Sequence, residues 1–219
     1  MPLPKFERFL PLAGALAAVI FVVALVLTGD KPMVGDDGVG EVVAWFEDHK
    51  TAAAVSGFGA GYVCLLLLLF ASALRAALRP ADGTESGYAN VAYAGTIVVA
   101  LAIALSGVLT LAGVEAADDG NASAVGAVGF IDDFAWMPWV AGSAAMLLGT
   151  GLGALRTLVL PKWLAFVSIV LGVLCLLGPG GILVFFATPL WLLAVSILLY
   201  RRQGAATPAL TPRGAAVTA

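Results

Sequence analysis

Two short stretches hold most of the side chains that could do chemistry: Trp45-Phe46-Glu47-Asp48-His49 and Asp132-Asp133-Phe134-Ala135-Trp136-Met137-Pro138-Trp139. Each stands just before a long apolar run. If the two helix starts are neighbours, Trp45, Asp48, His49, Asp132, Asp133, Trp136 and Trp139 would surround one mouth. Carboxylates beside aromatic faces attract a cation by charge and by cation–π contact, and His49 with oxygen ligands offers a set for a divalent metal. His49 is the sole histidine and no cysteine lies near it, so no metal site is expected. A structural role accounts for the same residues: acids at helix N-termini offset the helix dipole and cap free N–H groups, and Trp anchors helices at membrane interfaces.

Other chemical signals are absent. No G-x-x-x-x-G-K-[ST], H-E-x-x-H, G-x-S-x-G or C-x-x-C occurs. Gly149-Thr150-Gly151-Leu152-Gly153 is glycine-rich but lies inside an apolar run, which makes it a packing face and not a phosphate cradle. Cys64 and Cys175 each sit mid-run and read as small packing residues. No catalytic residue and no cofactor is expected, so the chain reads as no enzyme. Asn121-Ala122-Ser123 matches a glycosylation sequon, discounted because the Ala/Gly/Val-heavy composition reads as bacterial.

The elements that position these residues follow from hydropathy. The chain is 61% hydrophobic and 11% charged, whereas about a quarter of residues are charged in soluble domains. Six apolar runs, 9–28, 51–74, 88–114, 134–155, 163–178 and 182–200, approach the roughly 20 residues a transmembrane helix needs. They do not alternate as barrel strands would, and backbone groups in hydrocarbon must be satisfied within each segment. The expected fold is all-α: a six-helix transmembrane bundle over 1–202, built as three hairpins, with a disordered tail over 203–219. The first run follows Lys5 and Arg8 but is longer than a signal-peptide core, so it is expected to be retained as a span.

Charge sets the orientation. Every Lys and Arg except Lys31 and Lys50 falls on one side of a six-span model, and every Asp and Glu except Glu7, Asp82 and Glu85 on the other. The positive-inside rule then places both termini in the cytoplasm, with the protein in the cell (inner) membrane. The net charge of −3 hides this segregation. The basic residues are too scattered for a nucleic-acid footprint. Arg75 and Arg156 end spans at the inner face, where they set orientation, pair with Asp82 and Glu85, or meet lipid phosphate.

Spans associate by close packing, so small residues mark buried faces. Gly57 and Gly61 in the second span form a G-x-x-x-G, in a stripe with Ala53, Cys64 and Ser72. Gly142, Gly149 and Gly153 share a face of the fourth, with Ala135. Gly95, Thr96, Ser106, Thr110 and Gly113 line up on the third, as a polar pathway or as hydroxyls bonded to the backbone. Val39, Val42, Val43 and Phe46 predict an amphipathic helix at the outer interface, with Trp45 at headgroup level. Pro189, inside the sixth run, predicts a kink. Val39-Gly40-Glu41-Val42 echoes Val125-Gly126-Ala127-Val128, through a hairpin repeat or through chance in a biased composition. No Asp, Glu or Lys lies near the centre of a run, which argues against a proton-driven pump.

Leu160-Pro161-Lys162-Trp163-Leu164, then Leu171-Gly172-Val173-Leu174 and Leu177-Gly178-Pro179, and finally Pro189-Leu190-Trp191 with Arg201-Arg202 resemble a group of bacterial six-span membrane proteins of unknown function. In that group a Leu-Pro-Arg/Lys-Trp-Leu segment opens the fifth helix, and a Pro-Leu-Trp run with an arginine pair closes the sixth. The resemblance covers about the last quarter of the chain and implies the six-span fold but no activity or site residues. The first expectation for function is a non-enzymatic accessory or regulatory membrane subunit, in contact with the bilayer and with a membrane-protein partner or a second copy. The second is a small transporter or sensor for a cationic or apolar molecule entering at the acidic, Trp-lined mouth.

Overall fold

The computed structural model describes residues 7–80, 84, 86–178 and 180–205. A 3-10 turn at Glu7–Phe9 leads into α1 (Leu10–Thr28), the single-turn α2 (Val34–Asp37), α3 (Val39–Ala77), α4 (Gly87–Asp118), α5 (Ala122–Asp132), α6 (Trp136–Thr157), α7 (Lys162–Cys175) and α8 (Gly180–Ala205). The fold is all-α among the described residues. Four stretches are long and apolar enough to cross a membrane: Val39–Ala77, Gly87–Asp118, Ala122–Thr157 and Gly180–Arg202. α1 and α7 are shorter. At 1.5 Å per residue, α7 rises about 21 Å, below the roughly 30 Å of a hydrocarbon core. The fifth run, expected over 163–178, therefore gives a helix that stops at Cys175.

Neighbouring helices follow one another round a ring, α1–α3–α4–α6–α7–α8, with α8 closing against α1. α4 lies between α3 and α6 and packs closely on both. Around the girth large apolar side chains point outward, among them Val26, Phe58, Leu101, Phe166, Ile182 and Leu190. A surface this apolar suits a bilayer and not water.

Glycines set how closely the helices approach. A Cβ on Gly142 would lie 2.8 Å from the backbone N of Val99, and one on Gly149 2.5 Å from that of Ala92, so α4 and α6 touch backbone to backbone. Gly57 meets Leu111 and the carbonyl of Gly107 on α4, and Gly153 packs on Leu78 and Tyr88. Gly61 differs. It is exposed, with open space where its Cβ would be. The α3–α4 crossing is centred on Gly57 and Gly107, and one turn further on Gly61 has rotated off it. Ser72 is exposed as well, because α3 buries large residues, Leu67, Phe70 and Leu74, where it must fill space between α1 and α4.

The charges segregate by end. Arg8, Arg75, Arg79, Arg156, Lys162, Arg201 and Arg202 gather at one end, where the 3-10 turn, the C-termini of α3, α6 and α8 and the start of α7 meet. Arg8 lies over Tyr200, Arg75 over Tyr93 and Arg156 over Tyr88, at 5.5, 5.1 and 4.8 Å from the ring centroids. Arg75 also donates to Asn90 Oδ1 at 3.0 Å. The alternative partners Asp82 and Glu85 lie outside the described residues, as do Lys5, Pro179 and Arg213.

The opposite, acidic end carries a cap with a core of its own. At about 58 Å, α3 is far longer than a bilayer core needs. Its first turns bury Val42, Trp45 and Phe46 against Val114, Ala117 and Val125. The expected amphipathic segment is helical, but it runs on into the next apolar helix through a non-helical residue at His49 (φ −112°, ψ 17°). Trp45 is buried in the cap core. Both segments of the Val-Gly echo are helical and face each other: a Cβ on Gly126 would lie 3.0 Å from Val39. Asn121, the sequon residue, caps α5 by accepting from the Ala124 N–H at 3.1 Å. α8 runs unbroken through Pro189 and on to Ala205, so the first residues of the expected tail are helical; 206–219 lie outside the described residues.

Candidate functional site

At the acidic end a cavity of about 320 Å³ sinks into the middle of the ring. α1, α3, α4, α6 and α8 all contribute to its wall. Its floor is aromatic. Phe185 packs edge-on against Phe21 at 5.4 Å and Trp139 at 5.3 Å, between ring centroids. These three rings, with Val63 and Ile103, separate it from a small apolar space of about 30 Å³ nearer the bundle centre, beside Pro189. Trp136 stands half-exposed at the rim.

Many Ser and Thr within these helices donate to the carbonyl four residues back: Ser72 to Leu68, Thr96 to Ala92, Thr150 to Met146, Thr157 to Gly153, Ser168 to Leu164, Thr188 to Val184 and, in the cavity wall itself, Thr28 to Ala24. That bond hides the hydroxyl inside its own helix. Ser143 and Ser196 are buried without a partner among the described residues. Ser56, Ser106 and Thr110 line the cavity, and no protein group among the described residues bonds their hydroxyls. The sequence stripe on the third span therefore divides: Thr96 is bonded to backbone, whereas Ser106 and Thr110 offer donors and acceptors to the cavity.

Asp132 is the one ionisable group in the cavity wall. Its Oδ2 accepts from Lys31 Nζ at 2.6 Å, and the two side chains are only 19% and 24% exposed. Lys31 also lies 5.2 Å from the centroid of Phe46 in the cap. Partial burial strengthens such a pair relative to an exposed one, because less solvent screens it. Lys31 therefore ties the strand of chain after α1 to the end of α5, across the cavity rim.

The seven expected mouth residues do not share one wall. Asp132, Trp136 and Trp139 line the cavity. Trp45, Asp48 and His49 line a separate, shallower groove of about 740 Å³, with Asp30, Lys31, Asp37 and Glu41. There the His49 ring stacks on Trp45 at 5.1 Å, and its Nδ1 lies 3.1 Å from the Trp45 carbonyl oxygen. Asp133 does neither: its Oδ2 accepts from the Gly35 N–H at 3.0 Å, holding α2. Among the described residues no group of His, Cys, Asp and Glu could hold a metal ion. Cys64 and Cys175 are unpaired thiols, and Cys175 is buried beside the Val140 carbonyl.

No family model matches the sequence, and neither a curated protein nor a solved structure matches it.

Sequence reasoning reached Asp132, the two tryptophans, Ser106 and Thr110. It missed Thr28, Ser56, Phe21 and Phe185, which single helices present as ordinary apolar or small residues, and it treated Lys31 as an exception to the charge pattern. The only available signal was that exception: a lysine on the acidic side, just past a helix end.

Proposed function

We propose that the protein is a multi-pass membrane protein with six spans, its arginine-rich end in the cytoplasm, and that it works by binding a small molecule in the cavity at its outer end, as a sensor or a small transporter. The cavity carries this reading: its size falls at the lower end of the range for small-molecule sites, about 300–1,000 Å³, and its make-up is the usual one, apolar walls with a few placed polar groups. The unbonded hydroxyls of Ser56, Ser106 and Thr110 favour an occupant, since a hydroxyl in an apolar wall gains from a partner. The cavity moves the balance from an accessory subunit toward ligand binding. The proposed role is non-enzymatic binding.

Two measurements test it. Gentle extraction and native mass spectrometry should find the parent carrying a small molecule, and Ser106→Phe should cut its occupancy by about tenfold, equivalent to 1.4 kcal/mol, while helicity is kept. Extraction that yields an empty parent, with no small molecule able to saturate it, defeats the reading. For the threading, a membrane-impermeant thiol reagent should reach Asp36→Cys and Asp118→Cys in intact cells, and Arg201→Cys only after permeabilisation. Labelling of positions 36 and 201 from the same side would end the six-span topology.

A further inference from the structure

The Lys31–Asp132 pair says which chemistry the cavity prefers. We infer that its ligand is an amine with an apolar aryl or alkyl body, whose ammonium takes the place of Lys31 Nζ on Asp132 while the body rests on Trp139, Phe185 and Phe21. This rests on the reading of the cavity as a small-molecule site and gives that molecule a class.

Four observations support it. Asp132 belongs to the cavity wall and also faces Lys31 at 2.6 Å, so the carboxylate can be reached from both sides. Exchange of one ammonium for another keeps the half-buried carboxylate neutralised, whereas a neutral ligand leaves Lys31 in place and an anion meets Asp132. Lys31 also has somewhere to go: it lines the adjoining groove with Asp30, Asp37, Glu41 and Asp48, which can receive its charge. Finally, that end of the molecule carries Glu115, Asp118, Asp119 and Asp133 besides these, against Lys31 and Lys50 alone among the described residues, so its field draws cations inward. The aromatic floor then suits an apolar body beside a positive head.

The test uses the whole protein in lipid nanodiscs, with empty nanodiscs subtracted, and three probes of one shape: 4-phenylbutylamine, 4-phenylbutanol and 4-phenylbutyrate. The amine should bind at least about tenfold more tightly than the alcohol, and the acid should not saturate. Asp132→Asn should remove the amine's advantage and leave the alcohol unchanged. Lys31→Met should tighten amine binding by about tenfold, because the built-in competitor is gone; damage to the fold would weaken it instead. Equal binding of amine and alcohol, with both lost in Ser106→Phe, overturns the amine and leaves the cavity reading standing. Preference for the acid, lost in Lys31→Met, overturns it in favour of an anion site. If none of the three probes saturates, the amine inference falls, and the cavity reading is decided by whether the extracted parent carries a small molecule.

Discussion

Gly149→Leu should cost at least about 3 kcal/mol and leave little folded protein in detergent. A Cβ at Gly149 would lie 2.5 Å from the Ala92 N and 2.9 Å from the Tyr88 carbonyl oxygen. Both are backbone atoms of α4, which cannot turn aside as the end of a side chain would. Gly142, two turns earlier, meets the Val99 N and the Gly95 carbonyl in the same way, so α4 and α6 have no other register to slide into. Within lipid there is no hydrophobic gain to offset the lost contact, since association depends on packing itself. Gly149→Ala should already cost about 2 kcal/mol. Gly61→Leu is the control: it fills open space and should stay within about 0.5 kcal/mol of the parent. Loss of helicity in a denaturing-detergent titration measures all three. A Gly149→Leu protein that resists detergent like the parent would mean that the close approach of α4 to α6 is wrong.

Gly149 and Gly61 also show how far a sequence can be read. Both were legible as small residues on a helical stripe, yet only one is buried. A stripe says that some face of a helix can be approached closely; the partner and the depth of the crossing decide where. The long apolar runs are different, because their length and the need to satisfy every backbone group internally leave one solution. The cap was half legible. Periodicity in 39–46 gave its helix and apolar face, but the burial of Trp45 depends on Val114, Ala117 and Val125, far along the chain. His49 carried no such signal: α3 departs from helical geometry at the histidine, where it passes from the cap into the bundle. At the site, Asp132 and Trp139 were visible because a carboxylate and a tryptophan at the start of an apolar run stand out from the aliphatic residues that follow. Phe21 and Phe185 were not, because a phenylalanine lining a cavity and one facing lipid look alike in sequence.

Phe46→Ala carries the second large effect, and it falls on the cap and not on the bundle. Phe46 is fully buried, with Gly113 directly beneath its ring and Trp45 edge-on at 5.1 Å. Gly113 has no side chain to fill the space the ring would leave, so the site cannot collapse, and such truncations cost about 3–5 kcal/mol. The cap core is small, Val42, Trp45, Phe46, Ala53, Val114, Ala117 and Val125, so a loss of that size exceeds what the remaining side chains supply. The cap should therefore open while the bundle stays helical. Limited proteolysis of the protein in nanodiscs should cut the parent slowly and Phe46→Ala rapidly between residues 30 and 50, with circular dichroism nearly unchanged. Phe46→Leu, which fills most of the same volume, should behave much closer to the parent. The same opening removes the ring over which Lys31 lies, so Lys31 should hold Asp132 less firmly and amine binding should rise in Phe46→Ala as it does in Lys31→Met. Slow cleavage of Phe46→Ala at the parent's rate would show that the cap draws its stability from elsewhere. Fast cleavage with no gain in amine binding would separate the cap from the lysine.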